Sequence, residues 1–245
     1  MSVRKVRDAL VLMGAFIALI WILQVFNWAD GYRLDLHFGI LPHHVDRLPE
    51  VFSAPFLHFS WQHIEGNTVP LFVLGVLAAY RGIKKFLLAT FIIAVVSGLA
   101  VWLFQSGNEL TVGASGLIFG YYGYVLTRGF FDRNLVDIGV GVVAGLLYWT
   151  ILQVAIPGNP GISWIGHLGG LLGGVLAAWV LRTRGPRPVA PGGWTTGLGR
   201  RAPRPSVPGT PGDGAAPGHA PAARPGHPGS RAADDLLREL DEKGF

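Results

Sequence analysis

The stretch GASGLIFGYYG, residues 113–123, carries a serine at 115 and glycines at 113, 116, 120 and 123 inside an otherwise apolar and aromatic run. Small residues at such spacing let one helix backbone approach another closely, a packing habit of helices in membranes. The flanking sequence agrees with that setting. A membrane-crossing helix needs about 20 mostly apolar residues, because the hydrocarbon core is about 30 Å thick and each residue rises about 1.5 Å. Six segments qualify, running approximately over 9–28, 63–80, 86–104, 114–130, 135–156 and 162–181. Arg4, Lys5 and Arg7 precede the first, as in a signal peptide, but its apolar run is too long for an h-region and no small-x-small cleavage site follows. It is expected to stay as an anchor.

Composition separates this part from the rest. The 245 residues carry net charge +5, with 50% hydrophobic but only 14% charged residues, and a mean hydropathy of +0.41. Soluble domains carry about a quarter charged residues, so the balance points to a membrane protein. Absence of Cys excludes disulfide frameworks, thiolate metal sites and cysteine nucleophiles. Residues 183–245 hold 11 of the 17 prolines and are rich in Gly, Arg and Ala, too polar to offset the entropy of ordering. The expectation is an all-α polytopic domain over 1–182 and a disordered tail over 183–245. Within the tail only 231–243 has helical spacing, with Leu236, Leu237 and Leu240 on one side. That segment reads either as a solvated helix or as an amphipathic helix docking on a partner or a membrane surface.

Lys and Arg collect in alternate loops. Arg4, Lys5 and Arg7 precede span one; Arg81, Lys84 and Lys85 separate spans two and three; Arg128 and Arg133 separate four and five; Arg182, Arg184 and Arg187 follow span six. The loops at 105–111 and 157–161 have neither. Both termini are therefore expected on the cytoplasmic side, with the long loop 29–62 outside. Strongly polar groups within spans are costly and functional by default. Span two opens with His63 and Asn67 on one helical face, span four with Ser115, and span six carries His167 near its start. All three spans start from the outside, so these four residues share one layer, within about 9 Å of where each helix begins. Gly116, Gly120 and Gly123 on span four and Gly170 and Gly174 on span six allow those helices to pack tightly, bringing Ser115 near His167. A glycine face or one buried histidine is common in any polytopic protein; four such residues at one depth on three helices point to catalysis.

These residues resemble the rhomboid family of intramembrane serine proteases. The likeness rests on Gly113-x-Ser115-Gly116-x-x-x-Gly120-x-x-Gly123 in span four, His167-x-x-Gly170-x-x-x-Gly174 in span six, and His58-x-x-x-x-His63-x-x-x-Asn67 leading into span two. It covers essentially residues 1–182. The resemblance implies Ser115 as nucleophile and His167 as its general base. It also implies His63, Asn67 and the Ser115 backbone N–H as donors to the oxyanion, and an aromatic side chain, here Phe119 where relatives commonly have Tyr, stacked on the base. His58 has a counterpart whose role is structural or catalytic. A serine hydroxyl becomes nucleophilic only when a neighbouring base accepts its proton, so the chemistry is self-consistent. No carboxylate stands ready in span six, which makes the pair a dyad.

Substrates implied by the resemblance are transmembrane proteins cleaved in or near their spans, within a lipid bilayer; no cofactor and no nucleic-acid partner is expected. No metal is expected, since His-Glu-x-x-His and Cys are both absent. A catalytically silent rhomboid-like protein that escorts membrane clients is the alternative, disfavoured by the intact Ser115 and His167. A transporter would want polar groups across the whole membrane. Hydrolysis needs water, so a hydrophilic cavity opening outward, covered by loops such as 105–111, is also expected. The composition is compatible with a bacterial plasma membrane.

Overall fold

The structure, a computed structural model, describes residues 3–107, 109–157 and 163–183. The tail beyond 183, including the stretch 231–243 expected to be helical, lies outside the described residues. Every extended element described is helical: α1 (Val3–Ala29), α2 (Arg33–Phe38), α3 (Trp61–Ala79), α4 (Ile83–Phe104), α5 (Ser115–Asp132), α6 (Leu135–Leu147) and α7 (Trp164–Val180), with 3-10 turns at Val45–Val51, Ala54–Phe56 and Trp149–Ala155. Side-chain oxygens define several starts: Ser60 accepts the His63 N–H, Asn134 the Asp137 N–H and Ser163 the Gly166 N–H, each closing an otherwise unmade bond of the first turn.

Two helices, α1 and α4, are both long and apolar enough to cross a membrane on those criteria alone. The fifth expected span, 135–156, is not one continuous helix: α6 ends at Leu147 and the chain continues as the 3-10 turn Trp149–Ala155. Packing explains how shorter helices belong to the same body. α5 is the central element, in contact with α3, α4, α6 and α7, and its residues Leu117 to Val125 are buried without interruption. The peripheral helices instead expose large apolar side chains outward, among them Ile22 and Phe26 on α1, Leu87 and Phe91 on α4, Val143 and Leu146 on α6, and Leu172 and Trp179 on α7. A surface that apolar on every side suits hydrocarbon and not water.

One end of the bundle is basic, and the other combines polar contacts with the Arg47–Glu50 ion pair of the long loop at 3.0 Å. At the basic end the Lys85 ammonium donates to Thr183 Oγ1 at 2.9 Å and Asp132 accepts the Thr183 N–H at 2.6 Å, joining the start of α4 to the ends of α5 and α7. Arg128, read from the sequence as a loop charge, is instead inside α5 and 2% exposed. Its guanidinium lies 3.5 Å from the fully buried carboxylate of Asp137, donates to Leu77 O at 2.7 Å, and stacks over the Tyr80 ring. Tyr80 Oη and Arg81 also donate to Asp137. At the other end, an isolated bridge between Ile40 and Thr111 ties the long loop to the segment entering α5.

Candidate active site

Ser115 opens α5 and His167 lies in the first turn of α7, and the glycines decide how near these turns come. A Cβ on Gly170 or Gly174 would drive into the carbonyls of Gly116 and Gly120, and one on Gly123 would stand 2.5 Å from Leu171 O, so α5 and α7 touch backbone to backbone. The carbonyl of Gly166, the residue before His167, is 3.7 Å from where a Gly116 Cβ would stand. Two of the expected packing glycines serve a second neighbour as well. Gly116 and Gly120 make room first for Ser97 and Ile93 of α4, while their backbone meets α7. The close approach is thus three-way.

Gly113 is not a helix-packing residue. It precedes α5 with φ +123°, a backbone region closed to residues bearing a Cβ, and a Cβ there would lie 2.7 Å from the His63 ring and 3.8 Å from Asn67 Nδ2. His63 and Asn67 of α3 therefore press against the segment that delivers Ser115. Asn67 is 8% exposed, and its Nδ2 has no hydrogen-bond partner among the described residues, a buried donor available to a ligand. Glu65 is exposed, away from this face.

The His167 ring stacks on Phe119 with centroids 4.3 Å apart and planes 13° from parallel. Phe119 is one turn after Ser115, which brings the His167 ring over the helix that carries Ser115. His58 accepts from the Ala114 N–H through Nε2 at 3.4 Å and sits edge-on to His63 at 4.9 Å. Accepting at Nε2 requires the proton on Nδ1. Burial, then the neighbouring His63, lowers its pKa from 6.5 to about 3, so it is neutral. Its contact is with backbone just before Ser115.

Two serines here, Ser97 and Ser163, were not singled out in the sequence, whereas Gln105 and Thr111 bound the loop expected to cover the site. Ser97 donates to Gly166 O at 2.8 Å. Ser163, the cap of α7, donates to Gln105 at 2.5 Å, and Gln105 donates to Thr111 Oγ1 at 2.9 Å. A lone serine in span three was the available signal for the first. A cavity of about 40 Å³ touches Ser97, Thr111, Ser115 and Ser163, enough for a single water by size and polarity. Among the described residues no three His, Cys, Asp or Glu side chains group as metal ligands.

Comparison with known proteins places these elements in context. Residues 45–184 match the rhomboid domain. An uncharacterized protein of Mycobacterium tuberculosis is 41% identical over 174 residues, covering 68% of this chain and 72% of its own length. A chloroplastic rhomboid-like protein of Arabidopsis thaliana is 28% identical, covering 53% and 51%. A Bacillus subtilis protein named as a candidate rhomboid protease is also 28% identical, covering 51% and 62%.

Proposed function

This chain belongs to the rhomboid family, a membrane-embedded family that includes proteases, and we propose that it is an intramembrane serine endopeptidase working through Ser115 and His167. The observation that carries the reading is the convergence on the start of α5: the His167 ring stacked one turn along from Ser115 and the unpartnered Asn67 amide beside Gly113. His167 takes the Ser115 hydroxyl proton as Oγ attacks the scissile carbonyl. The oxyanion so formed accepts from Asn67, His63 and the Ser115 N–H. Collapse releases the amine, protonated by the same imidazolium, and leaves an acyl-enzyme that water then hydrolyses. Such a donor typically accounts for about 10²- to 10³-fold in rate.

In this reading the domain spans the bilayer six times, with the basic end and both termini cytoplasmic and the site just below the opposite surface. The mycobacterial relatives favour a bacterial plasma membrane. Substrates are single-span proteins whose helix unwinds near that surface, with small residues at the scissile bond, since a helical peptide bond shields its carbonyl. The test is cleavage of a labile transmembrane substrate by the purified chain in detergent. Ser115→Ala and His167→Ala should each abolish it, and the double variant should fall no further than about the worse single, as for residues that act as a unit. Unchanged cleavage by Ser115→Ala would favour the non-enzymatic alternative, a client-binding protein.

A further inference from the structure

A second cavity, of about 540 Å³, lies between α1 and α4 on the outer side of the bundle. Its size falls in the range of ligand pockets, roughly 300–1,000 Å³. Leu12, Phe16 and Leu19 form one wall and Leu87, Phe91 and Ala94 the other. Leu19 is 43% exposed, Leu87 53% and Phe91 57%, so the cleft opens sideways where the membrane would be. At the end nearer the candidate active site it is roofed. Phe52 stacks on Phe91 at 5.8 Å, and Phe56 packs edge-on against Phe16 at 5.3 Å. An occupant threading along the cleft therefore comes from the basic end or from the side.

At that end each wall continues into charge. On α4 the cleft-facing stripe runs down from Leu87 to the exposed Lys84, about 4.5 Å below. On α1 the stripe passes from Leu12 through Asp8, which is held by Arg4 and Arg7, to the exposed Lys5, about 10 Å below. The balance is basic, with Arg4, Lys5, Arg7 and Lys84 against one carboxylate. Basic clefts between helices at a membrane surface suit anionic headgroups, and a dry apolar slot suits an acyl chain.

We infer that this cleft binds an anionic phospholipid of the leaflet at the basic end, its phosphate between Lys84 and Lys5 and one acyl chain running up between α1 and α4. Pro55, Ala94 and Leu117 wall both this cleft and the small cavity at Ser115, so the chain's tip ends one side-chain layer behind the candidate nucleophile. The inference rests on membrane placement and stands independently of proteolysis.

Native mass spectrometry of the delipidated full chain, with dioleoyl phosphatidylglycerol or dioleoyl phosphatidylcholine added back, tests it. Phosphatidylglycerol should be retained as one molecule per protein, at least about fivefold more than phosphatidylcholine. Lys84→Glu combined with Lys5→Glu, both on the surface, should erase that preference. Ala15→Trp, which fills the cleft, should abolish retention of either lipid, while Val143→Trp on the exposed face of α6 should change nothing. Equal retention of the two lipids, an unaltered preference in the double charge variant, or equal loss in Val143→Trp would each overturn it. Displacement of the lipid by a transmembrane substrate peptide would assign the cleft to peptide instead.

Discussion

His58 shows how much one buried side chain can decide near the start of α5. Its unprotonated Nε2 accepts the Ala114 N–H, and its pKa of about 3 lies below the 6.5 of an exposed histidine. Between those two values the unfolded chain binds a proton that the folded chain refuses, so stability is full above about pH 6.5 and falls as the pH drops toward 3. The slope from this one group is at most about 1.4 kcal/mol per pH unit. His58→Gln keeps an acceptor without the titration. The drop in thermal midpoint in detergent between about pH 7 and about pH 5 should therefore be smaller in the variant than in the wild type. An identical drop would mean that His58 is not held neutral.

Among the elements, α5 is held from two sides by different kinds of neighbour, and substitutions should report the difference. Gly120 gives way to the side chain of Ile93, whereas Gly174 gives way to a backbone carbonyl. Overpacking of this kind costs about 1–3 kcal/mol. Gly120→Ala should lower the thermal midpoint and cleavage rate, and adding Ile93→Ala should restore both in large part, since the obstacle is a removable side chain. Gly174→Ala should be as damaging or worse, with no rescue by Ile93→Ala. Rescue of both, or of neither, would contradict the assigned contacts.

For the whole molecule, the Arg128–Asp137 pair fastens the basic ends of α3, α5 and α6 together. Asp137→Ala leaves a guanidinium buried without its partner, and breaking such a pair typically costs about 3–5 kcal/mol. Arg128→Met combined with Asp137→Leu should recover part of that loss in thermal unfolding, because neither buried charge then remains, while Arg81, which also donates to Asp137, is partly exposed and can turn to solvent; recovery no better than the single variant would argue against the pairing. The tail belongs to the same scale. Proline-rich polar sequence has little apolar surface to bury, and every residue proposed for catalysis comes before 183. Truncation after Arg187 should therefore leave specific activity in detergent within about twofold of the full chain. A truncated protein that keeps its helical circular dichroism but loses most cleavage would give the tail a part in catalysis or its control.

Apolar runs of membrane length, the break in composition near residue 183 and the short motifs around Ser115, His167 and Asn67 were all readable from the chain, because hydropathy and helical spacing are local properties. Spacing alone could also say that α5 had a face made for close approach. It could not say which neighbour each glycine would meet. That depends on how α4 and α7 wrap α5, and the wrapping gives Gly116 and Gly120 to α4 and reserves Gly113 for His63. For the same reason Arg128 looked like a loop charge until the turn between α5 and α6 brought Asp137 to it. Ser97 looked like one more small residue until its hydroxyl met the carbonyl before His167. Hydrogen bonds and ion pairs between residues far apart in sequence have no local signature, so tertiary packing alone decided which polar groups in this apolar bundle would find partners and which, like the Asn67 amide, would be left facing the site.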